Sequence, residues 1–211
     1  MKVGIIGSGA VGKALGHGFV TLGHEVKIGS RDPGKLKDWV GTAGKNASAG
    51  TFDEVARFGE WIVLATLWTG TKSAIQLAGP NQFTGKILID TTNPLDFSTM
   101  PPALAVGGND SAGEQVQRWL PDARVVKAFN IAGNAHMFRP QFPGGPPDMF
   151  IAGNDEGAKK SVTGLLKDFG WPTTDLGPIE MSRYLEPLAM IWIAIWARTQ
   201  SSNHAFRLLR K

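Results

Sequence analysis

The feature that most narrows the fold lies at the start of the chain. An apolar run, Lys2-Val3-Gly4-Ile5-Ile6, passes directly into Gly7-Ser8-Gly9-Ala10-Val11-Gly12, and an amphipathic stretch follows. Strand, glycine turn and helix in that order open a dinucleotide-binding βαβ unit. Each glycine has its own task. Gly7 permits the tight turn, Gly9 lets backbone approach a pyrophosphate, and Gly12 lets the helix pack closely on the strand. The helix N-terminus behind them offers N–H groups to an anion. The same junction also serves FAD and other nucleotides, so the second strand must discriminate. There, Val26-Lys27-Ile28-Gly29-Ser30-Arg31 ends in a hydroxyl and a guanidinium where NAD-binding versions carry an acidic residue, and Lys35 follows one helical turn later. Such a trio suits a 2′-phosphate, so the expected cofactor is NADP(H). Asp32 is the competing ribose ligand, but it lies past the strand terminus and precedes Pro33, which fits the N-cap of the next helix.

A chain of 211 residues with 42% apolar and 19% charged residues can bury a substantial core, enough for one large domain and a small appendage. The net charge of +4 is spread along the sequence, so nucleic acid is not an expected partner and the modest excess suits an anionic cofactor. The absence of cysteine excludes disulfides, thiolate nucleophiles and cysteine-ligated zinc. Met1 leads straight into the first strand, and the most apolar stretch, Leu188 to Ala197, is far shorter than a membrane span needs. The expectation is a cytoplasmic protein without a membrane partner.

Strands and helices alternate as in a doubly wound, mostly parallel sheet of the Rossmann type. The expected strands are Lys2–Ile6, Glu25–Gly29, Trp61–Thr66, Lys86–Asp90 and Ala123–Ala128, with a short edge strand near Ala47–Ala49. Trp61-Ile62-Val63-Leu64-Ala65 and Ile87-Leu88-Ile89 are near-continuous apolar runs, as in strands covered on both faces. Thr51…Glu54 and Ser111…Glu114 have the spacing of capping boxes and predict helix starts.

The chain changes character after Asn130, and residues 1–135 are expected to form the NADP-binding domain. Residues 136–211 are expected to form a small α+β domain for the acceptor and for dimerisation. Its strands would be Asp148–Ala152 and Pro172–Asp175, with a helix over Glu156–Phe169, and the loop Arg139-Pro140-Gln141-Phe142-Pro143-Gly144-Gly145-Pro146-Pro147 would mark the junction. A last helix is expected from Glu186 to about Gln200, with Pro187 in its first turn. It is apolar nearly all round, so the first domain or a second subunit must cover it. Trp192 and Trp196 share one face, either packing in the core or lining a site for a planar ring.

Groups that could do acid, base or nucleophilic chemistry are sparse. None of His17, His24, His136 and His204 has a metal spacing or a carboxylate partner in sequence, and no serine sits in a nucleophile elbow. That poverty suits direct hydride transfer, in which a cofactor carries the chemistry, so no catalytic side chain is assigned. It also suits an NADP-binding redox sensor without turnover. Three segments at the carboxyl ends of strands would face the cofactor: Ala65-Thr66-Leu67-Trp68, Asp90-Thr91-Thr92-Asn93-Pro94, and Ala128-Phe129-Asn130. The amides of Asn93 and Asn130 can bond a carboxamide or ring carbonyl, or serve only as loop caps.

Taken with Thr21-Leu22-Gly23-His24-Glu25-Val26, Gly29-Ser30-Arg31, Val125-Val126-Lys127-Ala128-Phe129-Asn130, Gly177-Pro178, Ser182-Arg183 and Glu186, the chain resembles the coenzyme F420:NADP oxidoreductases. The Ala128-Phe129-Asn130 version also looks like the reductase domain of the six-transmembrane metalloreductases, which pass hydride to a flavin. The resemblance implies a Rossmann domain with a small C-terminal domain, a homodimer, and hydride passing directly between nicotinamide and a deazaflavin or flavin ring. It implies that Ser30, Arg31 and Lys35 hold the 2′-phosphate and that Ser8 lines the glycine turn. Ala128 to Asn130 would border the nicotinamide. Imine reductases share the N-terminal signature but carry an all-helical second domain, unlike the strand-containing remainder expected here.

Overall fold

The computed structural model describes all 211 residues. The first half runs β1 (Lys2–Ile6), α1 (Ala10–Thr21), β2 (Glu25–Gly29), α2 (Lys37–Ala43), β3 (Ala47–Gly50), α3 (Phe52–Phe58), β4 (Trp61–Leu64), α4 (Trp68–Ala78) and β5 (Ile87–Asp90). A two-stranded hairpin of β6 (Leu95–Asp96) and β7 (Ala103–Leu104) follows. The remainder is α5 (Ala112–Trp119), β8 (Arg124–Lys127), β9 (Met149–Gly153), α6 (Glu156–Asp168), β10 (Thr173–Asp175) and α7 (Ser182–Thr199).

Eight strands form one sheet in the order β10-β9-β8-β5-β4-β1-β2-β3. All pairs are parallel except β8 with β9, so the doubly wound reading holds. The chain leaves β1 toward β2 on one side and returns after β3 to lay β4 on the other, which puts the crossover crevice between β1 and β4. Alternation along the strands feeds a core on each face. Val3 and Ile5 share one buried cluster with Leu15 and Phe19 of α1, while Ile6 shares the other with Val55 of α3 and Ile75 of α4. Residues 136–211 do not build a separate sheet: β9 pairs with β8 through Val126–Gly153 and Lys127–Ala152, and β10 extends the edge.

Both expected capping positions start helices, with different chemistry. Thr51 and Glu54 form the reciprocal box of α3. Ser111 caps α5 through the Glu114 N–H, but the Glu114 carboxylate is held by Ser111 Oγ and Arg183 rather than by the Ser111 backbone. The last helix starts at Ser182, one turn before the expected Glu186, and Pro187 lies inside it. Pro187 removes one internal hydrogen bond. The extra turn is nevertheless held by the burial of Ser182, Leu185 and Glu186 and by the pair of Arg183 with Glu114.

Candidate functional site

Every parallel strand points its carboxyl end to the same edge, and the expected binding residues collect there. At the β1–α1 turn the three glycines are demanded by different things. Gly7 has φ +120°, and a Cβ there would strike the Ala65 carbonyl across the crevice. A Cβ on Gly12 would strike the Gly7 carbonyl, so this glycine exists for helix–strand contact. A Cβ on Gly9 would meet nothing within 4 Å. No protein atom requires a glycine at this position. The first turn of α1 has neither a side-chain cap nor an acidic residue, which leaves its N–H groups to an anion. Ser8 and Val11 are half-buried beside this turn, and Ala10 is exposed.

At the end of β2, Ser30 Oγ accepts from the Asp32 N–H at 3.1 Å, so its own O–H stays available to donate. Arg31 is exposed and has no ion pair or hydrogen bond within the protein. Asp32 caps the following 3₁₀ turn by accepting from the Gly34 N–H at 3.2 Å, as its position before Pro33 implied, and meets Lys35 at 3.5 Å. The edge therefore presents one uncommitted guanidinium and one ammonium shared with a carboxylate.

After β4, Ala65 and Thr66 are half-buried, while Leu67 precedes α4 with 71% of its surface exposed. Thr66 Oγ1 and Thr71 Oγ1 lie 2.8 Å apart, tying the loop to α4. Ala128 is completely buried and its N–H bonds the Asp90 carbonyl, so it supports the edge without presenting a surface to it. Asn93 and Asn130 meet directly: Asn93 Nδ2 donates to the Asn130 carbonyl at 2.8 Å, and Asn130 Nδ2 donates to Asn93 Oδ1 at 3.0 Å. Asn130 Nδ2 also donates to the Leu185 carbonyl of α7 at 3.0 Å, which joins the strand ends to the last helix. Phe129 between them takes φ +62° and is buried against Phe169.

Beneath the amides lies a group of charges that the sequence reading did not single out. The Lys127 ammonium is fully buried between Asp90 Oδ2 at 2.9 Å and Glu186 Oε1 at 2.8 Å. Asp90 Oδ1 accepts from the Thr92 N–H and hydroxyl, and Glu186 accepts from the Ala112 and Gly113 N–H groups at the start of α5. Burial works against the Lys127 charge, yet Asp90 and Glu186 hold the ammonium above the usual lysine range. The helix N-terminus of α5 offsets the second carboxylate. Beside it, the Arg183 hydrogen bonds hold the Glu114 carboxyl below the usual range against the effect of burial. A signal was available in the sequence: Lys127 interrupts an apolar strand, and Glu186 precedes an apolar helix, where unpaired charge is not tolerated.

The two tryptophans differ. Trp192 stacks on His204 at 4.6 Å, donates to the His204 carbonyl and covers Gly133, so it packs the C-terminal tail onto the segment after β8. Trp196 is partly exposed.

A mostly parallel sheet with this glycine turn at its crossover defines a dinucleotide-binding architecture. The family model described as "NADP oxidoreductase coenzyme F420-dependent" matches residues 2–94. A crystal structure from Arthrobacter sp. FB24, described as a candidate F420-dependent NADP-reductase, is 38% identical, superposes with a TM-score of 0.94 and covers 100% of both chains. The chain belongs to this family of NADP-dependent oxidoreductases. It is also 28% identical over 195 residues to metalloreductase STEAP3 of Rattus norvegicus, a match covering 92% of this chain and 38% of the relative's length. An imine reductase from Bacillus cereus BAG3X2, at 16% identity and a TM-score of 0.67 over 93% of this chain and 63% of its own, shares the fold alone. No helix is long and apolar enough to cross a membrane.

Proposed function

We propose that the protein transfers a hydride between NADPH and a flavin or deazaflavin acceptor such as coenzyme F420. The observation that carries the reading is the division of labour among the glycines: Gly7 and Gly12 answer to protein backbone, and Gly9 faces open space at an uncapped helix N-terminus. In this reading Gly7 to Gly12 receive the pyrophosphate. Ser30, Arg31 and Lys35 hold the 2′-phosphate, and Ala65 to Leu67 flank the cofactor across the crevice. Asn93 and Asn130 border the nicotinamide, with Ala128 supporting them from below. The bound nicotinamide supplies the hydride chemistry. The protein's own part is to orient two rings and keep water from between them, for which no acid or base at the site is needed.

Arg31→Ala is expected to weaken NADPH binding by about 10- to 100-fold, the worth of charge-assisted hydrogen bonds to a phosphate. NADH binding should change by less than about threefold. Calorimetric titration measures both, and an equal loss for the two cofactors would remove the phosphate assignment. NADPH oxidation with flavin, FMN, FAD and coenzyme F420 tests the transfer itself. Binding without turnover on any of them would favour the redox sensor.

The same reading includes a homodimer built on α7. Its inner side is buried through Leu185 and Ala189, but Tyr184, Ile191, Ile195 and Trp196 on its other sides remain exposed, Tyr184 by 67% and Ile191 by 55%. Ile191→Glu is expected to convert a dimer to a folded monomer in sedimentation velocity. A wild-type monomer would end this part of the proposal.

A further inference from the structure

We infer that the buried Asp90–Lys127–Glu186 group sets the redox poise of bound NADP(H), its residual negative charge favouring the oxidised, cationic ring over the reduced one. The inference rests on the hydride-transfer reading for the place of the nicotinamide at the strand ends.

The charge count follows from the hydrogen bonds. Glu186 Oε1 accepts from Lys127 Nζ and the Gly113 N–H, and Oε2 accepts from the Ala112 N–H. Asp90 Oδ1 accepts from the N–H and hydroxyl of Thr92, and Oδ2 accepts from Lys127 Nζ. A proton on any of these oxygens would face only donors, so both carboxylates keep their charge. One ammonium against two carboxylates leaves a single negative charge. The N-terminus of α5 offsets about half of it. The neighbouring cations do not cancel the rest, because Arg183 is paired with Glu114 and Arg118 with Asp110.

That charge is shut away from water but tied to the binding edge. The side chains of Lys127 and Asp90 are 0% exposed and that of Glu186 2%, so counterions cannot reach them and screening is weak. Asp90 and Lys127 face each other at the carboxyl ends of adjacent strands β5 and β8. Thr92, held by Asp90, leads into Asn93, and the carbonyl of Leu185, next to Glu186, accepts from Asn130. No ligand can touch the three charged groups. Their influence on one is through the field alone.

The balance of the transfer shows what such a field does. When hydride leaves NADPH a ring C–H bond breaks, its electron pair departs with the hydrogen to the flavin-type acceptor, and the neutral ring becomes a cation. A buried negative charge stabilises the cation. NADP+ is therefore held more tightly relative to NADPH, and bound NADPH is a stronger reductant than it would be without the charge.

The test is the ratio of dissociation constants, Kd of NADP+ over Kd of NADPH, titrated calorimetrically in wild type, Glu186→Gln and Asp90→Asn. Both forms bring the same phosphates and adenosine, so a merely loosened site weakens them alike and leaves the ratio alone. Each variant removes one negative charge and keeps Lys127 paired with the other carboxylate, and either one decides if the other does not fold. The ratio is expected to rise about three- to tenfold, the effect of a unit charge acting through partly screened protein. For a two-electron couple that is about 15–30 mV. A ratio that falls, or stays within about twofold, in a folded variant binding both forms would overturn the inference and leave the hydride-transfer reading standing. A wild-type protein that binds neither form would overturn both.

Discussion

Lys127→Met is expected to destabilise the protein by about 3–5 kcal/mol, because it leaves Asp90 and Glu186 facing each other in a dry interior. For a chain of this size that corresponds to a fall in Tm on the order of 10 °C, read by calorimetry. Much of the loss comes from stranding two carboxylates, so the triple replacement Lys127→Met, Asp90→Asn, Glu186→Gln should be milder than the single one. The pH dependence has a definite sign. The folded protein raises the Lys127 value above the ordinary 10.5, so its contribution is fully present below that pH and is lost as pH rises through the folded value. Wild type and Lys127→Met should therefore converge in stability in strong alkali and differ most near neutrality. A single variant as stable as wild type at neutral pH would show that the three charges do not hold the strand ends to α7.

The second large effect separates folding from binding within one turn. Gly12→Ala drives a methyl group into the Gly7 carbonyl, and neither α1 nor β1 can give way cheaply. A loss of about 1–3 kcal/mol or more is expected in chemical denaturation. Gly9→Ala meets no protein atom, and its backbone at φ −74° is open to any residue, so stability should stay within about 0.5 kcal/mol. The methyl group would stand where the pyrophosphate backbone has to approach, and NADPH affinity should fall by about 10- to 100-fold. Gly9→Ala with unchanged NADPH affinity would place the pyrophosphate elsewhere.

Much of this architecture is written in local patterns. The glycine turn, the two-faced apolar strands and the N-cap at Asp32 each depend on neighbours a few residues away, and the structure keeps all of them. The start of α7 was misplaced because Pro187 reads locally as a first-turn residue, whereas tertiary burial of Ser182 and Leu185 adds a turn before it. The charge triad was missed for a related reason. Its members come from β5, β8 and α7, and only the sheet order brings Asp90 opposite Lys127 and Glu186 above both. Arg31, Lys35, Asn93 and Asn130 are expected at one edge from sequence alone because strand ends of a doubly wound sheet share it. What the two amides do to each other could not be named, since that depends on which backbone carbonyl each one meets.

The capping of α5 by Glu186 has a consequence for how the chain acquires its structure. The eight-residue helix α5 is too short to persist alone, and two of its initial N–H groups are supplied by a carboxylate 73 and 74 positions away. Formation of α5 is thereby tied to the arrival of the last helix, and the two should behave as one cooperative unit late on the folding route. In native-state hydrogen exchange the amides of Ala112 and Gly113 should open with those of α7, whereas β1, β2 and α1 hold their protection independently.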